Sequence, residues 1–194
     1  MKNQIIEVIN NTIPSESKKG EVKNHSYGSK NQRERLKKIC ELSLENTDGD
    51  ILEIGAHIGL TTQIFCELAK KYNRKVIVVD PWNGQQEGNQ MVYEQFKKNT
   101  ESYNDVLTVY RQSSLTNESR ELIQSKTLSF CFVDGLHTVE ACGYDIQSCI
   151  SQKGIIAVDD LTWVGGLKEL VENNATSNQR EFVIDENIRE GYII

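Results

Sequence analysis

A chain of 194 residues, 38% hydrophobic and 26% charged, is long enough for one domain with a full core and too short for two comfortable ones. No apolar run approaches the roughly 20 residues that cross a bilayer, and the opening MKNQIIEVINN is too polar for a signal peptide, so a cytoplasmic protein with no membrane attachment is expected. A net charge of -6 argues against general nucleic-acid binding, which favours basic domains.

Residues 4–10 read as a short helix. Residues 11–30 are polar, contain Pro14, Gly20 and Gly28, and read as a mobile arm, with His25, Tyr27 and Gly28 as candidate lid contacts. The domain proper is expected to span 31–194, with 1–30 as helix and arm. Residues 14–38 hold eight Lys or Arg against three Glu. This basic stretch is either a solvated linker and helix face or a lure for an anionic substrate. From 31 to 45, Leu36, Ile39, Cys40, Leu42 and Leu44 mark a helical stripe.

A regular alternation comes next. Strands are expected at DILEIG, KVIVVD, VLTVY, LSFCFVD and GIIAVDD. Helices are expected between them at LTTQIFCELAKKY, NQMVYEQFKKN, SLTNESRELIQ and TVEACGYDIQSCI, and after them at VGGLKELVEN. EFVID and GYII read as two closing strands able to pair antiparallel. The pattern specifies an α/β fold: a doubly wound sheet, mostly parallel with an antiparallel edge strand and helices on both faces. The five cysteines form no CxxC pair and read as reduced thiols, several of them within apolar patterns. The three histidines lack zinc-site spacing.

In such sheets ligands bind beyond the carboxyl ends of the strands, where the strand order reverses. Four of the five ends carry an acid: Glu53, Asp80, Asp134 and the pair Asp159–Asp160. After the first strand, Gly55 and Gly59 flank a turn in which glycine permits positive φ and close approach of a ligand. The nicotinamide fingerprint GxGxxG needs glycine where His57 stands, which disfavours that cofactor. Asp80 has the acceptor-only chemistry that suits two ribose hydroxyls, or it caps the next helix. Ser113 and Ser114 come after the third strand as nucleoside contacts or as helix caps.

Asp134 alone is as readily a helix cap. With Asp159 and Asp160 it is not, because neighbouring strand ends lie about 5 Å apart and three carboxylates there call for a cation. Oxygen ligands suit Mg²⁺. Successive strand residues face opposite ways. Asp159 is therefore the stronger ligand candidate, and Asp160 joins it only if the backbone turns as soon as the strand stops. His137 is suited to base chemistry near neutral pH or is a polar residue at a helix start. Trp82 and Trp163 either wall a substrate or pack an edge.

The motifs EIG…G, VVDPW, VDGxHxxE and GIIAVDD, spread over about 50–165, resemble those of class I S-adenosylmethionine-dependent methyltransferases. They are most similar to the small bacterial "methyltransferase 24" branch, akin to metal-dependent catechol-type and macrocin-type sugar O-methyltransferases. The resemblance implies a Rossmann-like fold and S-adenosylmethionine held by Glu53, Gly55, Ala56, His57, Gly59, Asp80, Ser114 and Asp134. It implies Mg²⁺ on Asp134, Asp159 and Asp160, with His137 as the base that deprotonates a hydroxyl of a small-molecule or glycan diol or catechol. A docked or swapped arm would favour a homodimer. The competing expectation is a non-catalytic Rossmann-like accessory module, prompted by the irregular His57 loop.

Overall fold

A computed structural model describes residues 1–13, 30–83, 89–185 and 187–194. The expected arm, with His25, Tyr27 and Gly28, lies largely outside the described residues; its first two positions, Asn11 and Thr12, close helix α1 (Lys2–Thr12). Helix α2 (Lys30–Asn46) comes next, and then β1 (Asp50–Ile54), α3 (Leu60–Tyr72), β2 (Val76–Val79) and α4 (Asn89–Thr100). A single 3-10 turn at Glu101–Tyr103 leads to β3 (Leu107–Tyr110), α5 (Asn117–Gln124), β4 (Leu128–Val133) and α6 (Val139–Cys149). The chain ends with β5 (Ile155–Val158), α7 (Leu167–Ser177), β6 (Phe182–Ile184) and β7 (Gly191–Ile193).

The sheet order is β3-β2-β1-β4-β5-β7-β6. β1 to β5 are parallel neighbours in that order. β7 pairs antiparallel with both β5 and β6. The reversed strand is thus one place in from the edge, and β6 at the edge runs with the parallel set. Every residue of β2, β4 and β5 is buried, as expected for parallel strands covered on both faces.

Alternation along β4 feeds two cores. Phe130 and Phe132 point to the α2–α3 side, where Leu36, Ile39 and Phe65 pack, and Phe65 meets both rings at 5.6 and 5.9 Å. Cys131 and Val133 point to the opposite side with Cys142, Ile146 and Val171. All five cysteines are free and buried, as expected from their small apolar character. Among the described residues no helix is long and apolar enough to cross a membrane.

Ladder register sets the site. Ile54 is level with Val79 and with Val133, and Val133 is level with Val158. The next residues along each strand, Gly55, Asp80, Asp134 and Asp159, therefore leave the sheet side by side. One ion pair fastens this rim to the N-terminal helices. Arg35 of α2 gives Nη2 to both Glu190 oxygens, at 2.9 and 2.7 Å, and Glu190 is wholly buried. Burial raises the Glu190 carboxyl and the Arg35 charge opposes that rise.

Removing one partner of such a pair strands a buried charge. Arg35→Ala is expected to cost about 3–5 kcal/mol in urea unfolding. The double replacement Arg35→Met with Glu190→Met is expected to recover most of that loss, because neither charge then remains.

Candidate active site

The loop after β1 is built around Asp80. Its Oδ2 accepts the backbone N–H of Ala56 at 2.8 Å and of His57 at 3.0 Å, while Oδ1 accepts that of Trp82 at 2.8 Å. The Trp82 indole N–H donates back to the His57 carbonyl at 2.8 Å. His57 and Trp82 both have positive φ, +49° and +44°, a conformation that costs side-chain-bearing residues energy and is held by surrounding bonds. Asp80 is thus an anchor of the loop. Trp82 is buried and stacks obliquely on Tyr93 and Phe96, both at 4.7 Å, so it packs an edge.

The two glycines make room for the protein itself. At Gly55 (φ +85°) a Cβ would lie 2.0 Å from the Asp134 carbonyl oxygen; at Gly59 (φ +80°) it would meet the Phe96 ring at 2.9 Å. Glu53 is buried and accepts the Thr62 hydroxyl at 2.5 Å. Burial pushes its carboxyl up to about 8, opposed by Thr62 and reinforced by the Asp80 charge.

The capping alternatives fall to other residues. Thr116 caps α5 by accepting Ser119 N–H, and Thr138 caps α6 by accepting Ala141 N–H. Ser113, Ser114 and Asp134 are left to line a cavity of about 1060 Å³. Gly55, Ala56, His57, Asp80, His137 and Asp160 share the same walls. The helix expected from Ser114 starts instead at Asn117, after the Thr116 cap.

At the other end of the cavity, Asp160 has φ +63°. The chain therefore turns directly after Asp159, and Asp160 faces inward. Ligand atoms of Asp134, His137 and Asp160 lie within 4.8 Å of one another. His137 Nδ1 is 2.9 Å from Asp160 Oδ2. Asp159, the stronger candidate by strand alternation, lines the same cavity but stands outside this set. Its Oδ1 accepts the Asp160 N–H at 2.8 Å, and its Oδ2 accepts Gln32 Nε2 at 2.9 Å. The converging set thus holds two of the three expected carboxylates together with the His137 imidazole.

Crowding shows in the titration behaviour. Burial holds Asp134 well above the usual carboxylate range, and the Asp159 and Glu53 charges add to it. Burial also raises Asp159, opposed first by Arg189. His137 is lowered by burial against the pull of Asp159. Arg189 sits on this cluster: its Nη2 contacts Asp160 Oδ1 and lies 3.5 Å from Asp159 Oδ2.

With the loop and the acid cluster in one cavity, the relatives become informative. The Methyltransf_24 family model, described as a methyltransferase domain, matches residues 52–161. The chain belongs to this methyltransferase family. Curated proteins offer no match to it. Solved structures similar to this methyltransferase include CalS11, a TDP-rhamnose 3′-O-methyltransferase of calicheamicin biosynthesis. That pair is 13% identical at TM-score 0.62, covering 99% of this chain and 93% of the other. An O-methyltransferase from Bacillus cereus in complex with SAH is 15% identical at TM-score 0.57, with 98% and 89% covered. SAH-bound PaMTH1, a methyltransferase from Podospora anserina, is 12% identical at TM-score 0.59, with 100% and 87% covered. At these identities the likeness is one of fold.

The methyltransferase uses residues that sequence reasoning missed. Gln32 and Arg35 continue the buried stripe of α2 toward its N-terminus; polar residues in register with Leu36 and Ile39 were the available signal. Arg189 carried no local signal. Nor did Asp145 on α6. It is 1% exposed, its oxygens lack a well-formed hydrogen bond among the described residues, and one of them lies close to Gly135. Burial pushes its carboxyl up to about 6, with Ser114 pulling the other way.

A folded-state pKa above the unfolded value of about 3.9 means that the native state loses stability as pH rises from about 4 to 6. Asp145→Asn removes that penalty. It is expected to unfold at higher urea at pH 7.5, by about 1–2 kcal/mol, with the advantage shrinking toward zero below pH 4.

Proposed function

We propose that this methyltransferase is S-adenosylmethionine-dependent and acts on a hydroxyl of a small-molecule or glycan-borne diol or catechol, assisted by a divalent cation, Mg²⁺ by preference. The supporting observation is that Asp134, His137 and Asp160 converge at the level strand ends of the same cavity as the Asp80-anchored loop. The SAH named with two similar folds supports the cofactor, and the sugar named with CalS11 supports a hydroxyl acceptor.

The donor set fits a divalent ion. Two carboxylates, Asp134 and Asp160, lie within reach of a single centre, with the His137 imidazole beside them kept as the base. When bound, such an ion would lower the pKa of an acceptor hydroxyl and make it a better nucleophile.

The chain's own residues do the rest. A neutral His137 that donates Nδ1–H to Asp160 keeps its lone pair on Nε2, the atom assigned to take the hydroxyl proton. Asp160 thus orients the base. Asp134 bridges the two halves of the cavity, since its backbone N–H is bonded to Ile54 and its carbonyl packs against Gly55. Asp80 holds the Ala56–His57 backbone in place for the cofactor. Trp163, 64% exposed and 5.6 Å from His137, is placed to cover the acceptor. Orientation and exclusion of water are what methyl transfer asks of the protein, because the sulfonium brings the activated methyl.

Asp160→Asn is expected to lower turnover about a hundredfold or more, since it removes both a cation ligand and the partner of His137. Calorimetry should show S-adenosylmethionine binding within about threefold of the unaltered protein, because the Asp80 loop is untouched. Treatment with EDTA is expected to stop methylation and Mg²⁺ to restore it; full-rate methylation in EDTA would remove the cation from this reading. Failure to bind S-adenosylmethionine at millimolar concentration would point to the non-catalytic module.

A further inference from the structure

Asp160 is 1% exposed and both of its oxygens are already engaged, Oδ1 by Arg189 and Oδ2 by His137. An ion that ligates Asp160 therefore competes with one of them for that carboxylate. We infer that Arg189 is a resident counter-cation of the carboxylate cluster and that a divalent ion binds by displacing its guanidinium from Asp160. The inference rests on the cation site proposed above.

The geometry shows which partner yields. Asp160 is fixed by its left-handed backbone and by the bond from its N–H to Asp159. The Arg189 main chain is fixed as well: its N–H donates to Glu190 at 3.1 Å and its carbonyl accepts from Leu161 at 2.8 Å. The Arg189 side chain is different. It is 39% exposed, lines the open cavity and has a long stem, so its charged end has water to move into. His137 sits on the other oxygen, Oδ2, and need not leave.

Charge balance gives the reason for the arrangement. Asp134, Asp159 and Asp160 lie together near the buried Glu53 and Glu190. Arg35 is already committed to Glu190. Of the described residues, Arg189 is the cation that touches both Asp159 and Asp160. A guanidinium stays charged at any working pH, so it compensates the cluster without a metal. A guanidinium and a divalent cation held on one carboxylate repel each other. Metal affinity is then reduced by the fraction of molecules in which Arg189 occupies Asp160.

The test is calorimetric titration of Mn²⁺, as a probe of the divalent site, into the unaltered protein and into Arg189→Met and Arg189→Lys at pH 8. Arg189→Met is expected to bind Mn²⁺ about tenfold more tightly or better, and Arg189→Lys within a fewfold of the unaltered protein. The metal-free Arg189→Met protein should melt at a lower temperature and gain more from Mn²⁺. Equal or weaker binding by Arg189→Met overturns the inference and leaves the cation site standing; no binding by any of the three overturns both. Should Arg189→Met fail to fold, the side-chain resonances of Arg189 in the unaltered protein answer the same question. Saturating Mg²⁺ is expected to shift them and to speed guanidinium rotation, and unmoved resonances overturn the inference.

Discussion

Like charge at the rim of the sheet is the constraint that organises this protein. Four parallel strands end level, so the residues just past their ends are delivered to one place. Asp134 and Asp159 are neighbours there, Asp80 stands on the far side of β1 beyond Gly55, and Asp160 is one residue past Asp159. Two carboxylates 4 Å apart at an effective dielectric near 20 repel by about 4 kcal/mol. A domain with a net stability of about 5–15 kcal/mol cannot leave several such contacts unanswered.

The answer differs at each strand end. Asp80 is met by three backbone N–H groups, which stabilise its charge without any cation. Asp159 is met by Gln32 and by its neighbour's N–H. Asp160 takes His137 and Arg189. Glu53 and Asp134 have less help, and burial pushes both carboxyls upward. The rim therefore runs from an uncharged-donor side near the loop of His57 to a cation-dependent side near Asp160.

The N-terminal helices take part in this balance. Arg35 neutralises Glu190 and Gln32 orients Asp159, both from the first turns of α2. A segment that reads as a peripheral basic stretch in fact reaches under the site. Glu190 in turn holds the backbone of Arg189. Helix α2, strand β7 and the carboxylate cluster are coupled through a few buried polar contacts, and a buried polar network has value only while it is complete.

The sequence by itself determined the architecture. Apolar runs such as VIVV and IIAV have the length and β-branching of strands buried on both faces, and the stripes between them have helical period, so the alternation and the doubly wound sheet were legible. The acids at the strand ends were legible for the same reason, because a charge that closes an apolar run stands out. Tertiary structure alone decided what each acid does. Asp159 and Asp160 differ by one residue, and strand alternation favours the first; a positive φ at Asp160 turns the second toward the cavity as well, and the packing around the strand end sets that dihedral. Gly55 and Gly59 read as room for a ligand, yet the space they leave is filled by the Asp134 carbonyl and by Phe96, from segments 79 and 37 residues away in the chain. Arg189 lay beyond sequence reasoning altogether, because what makes it matter is the charge it faces across 29 residues of chain, and a single cation in a loop announces nothing about its partner.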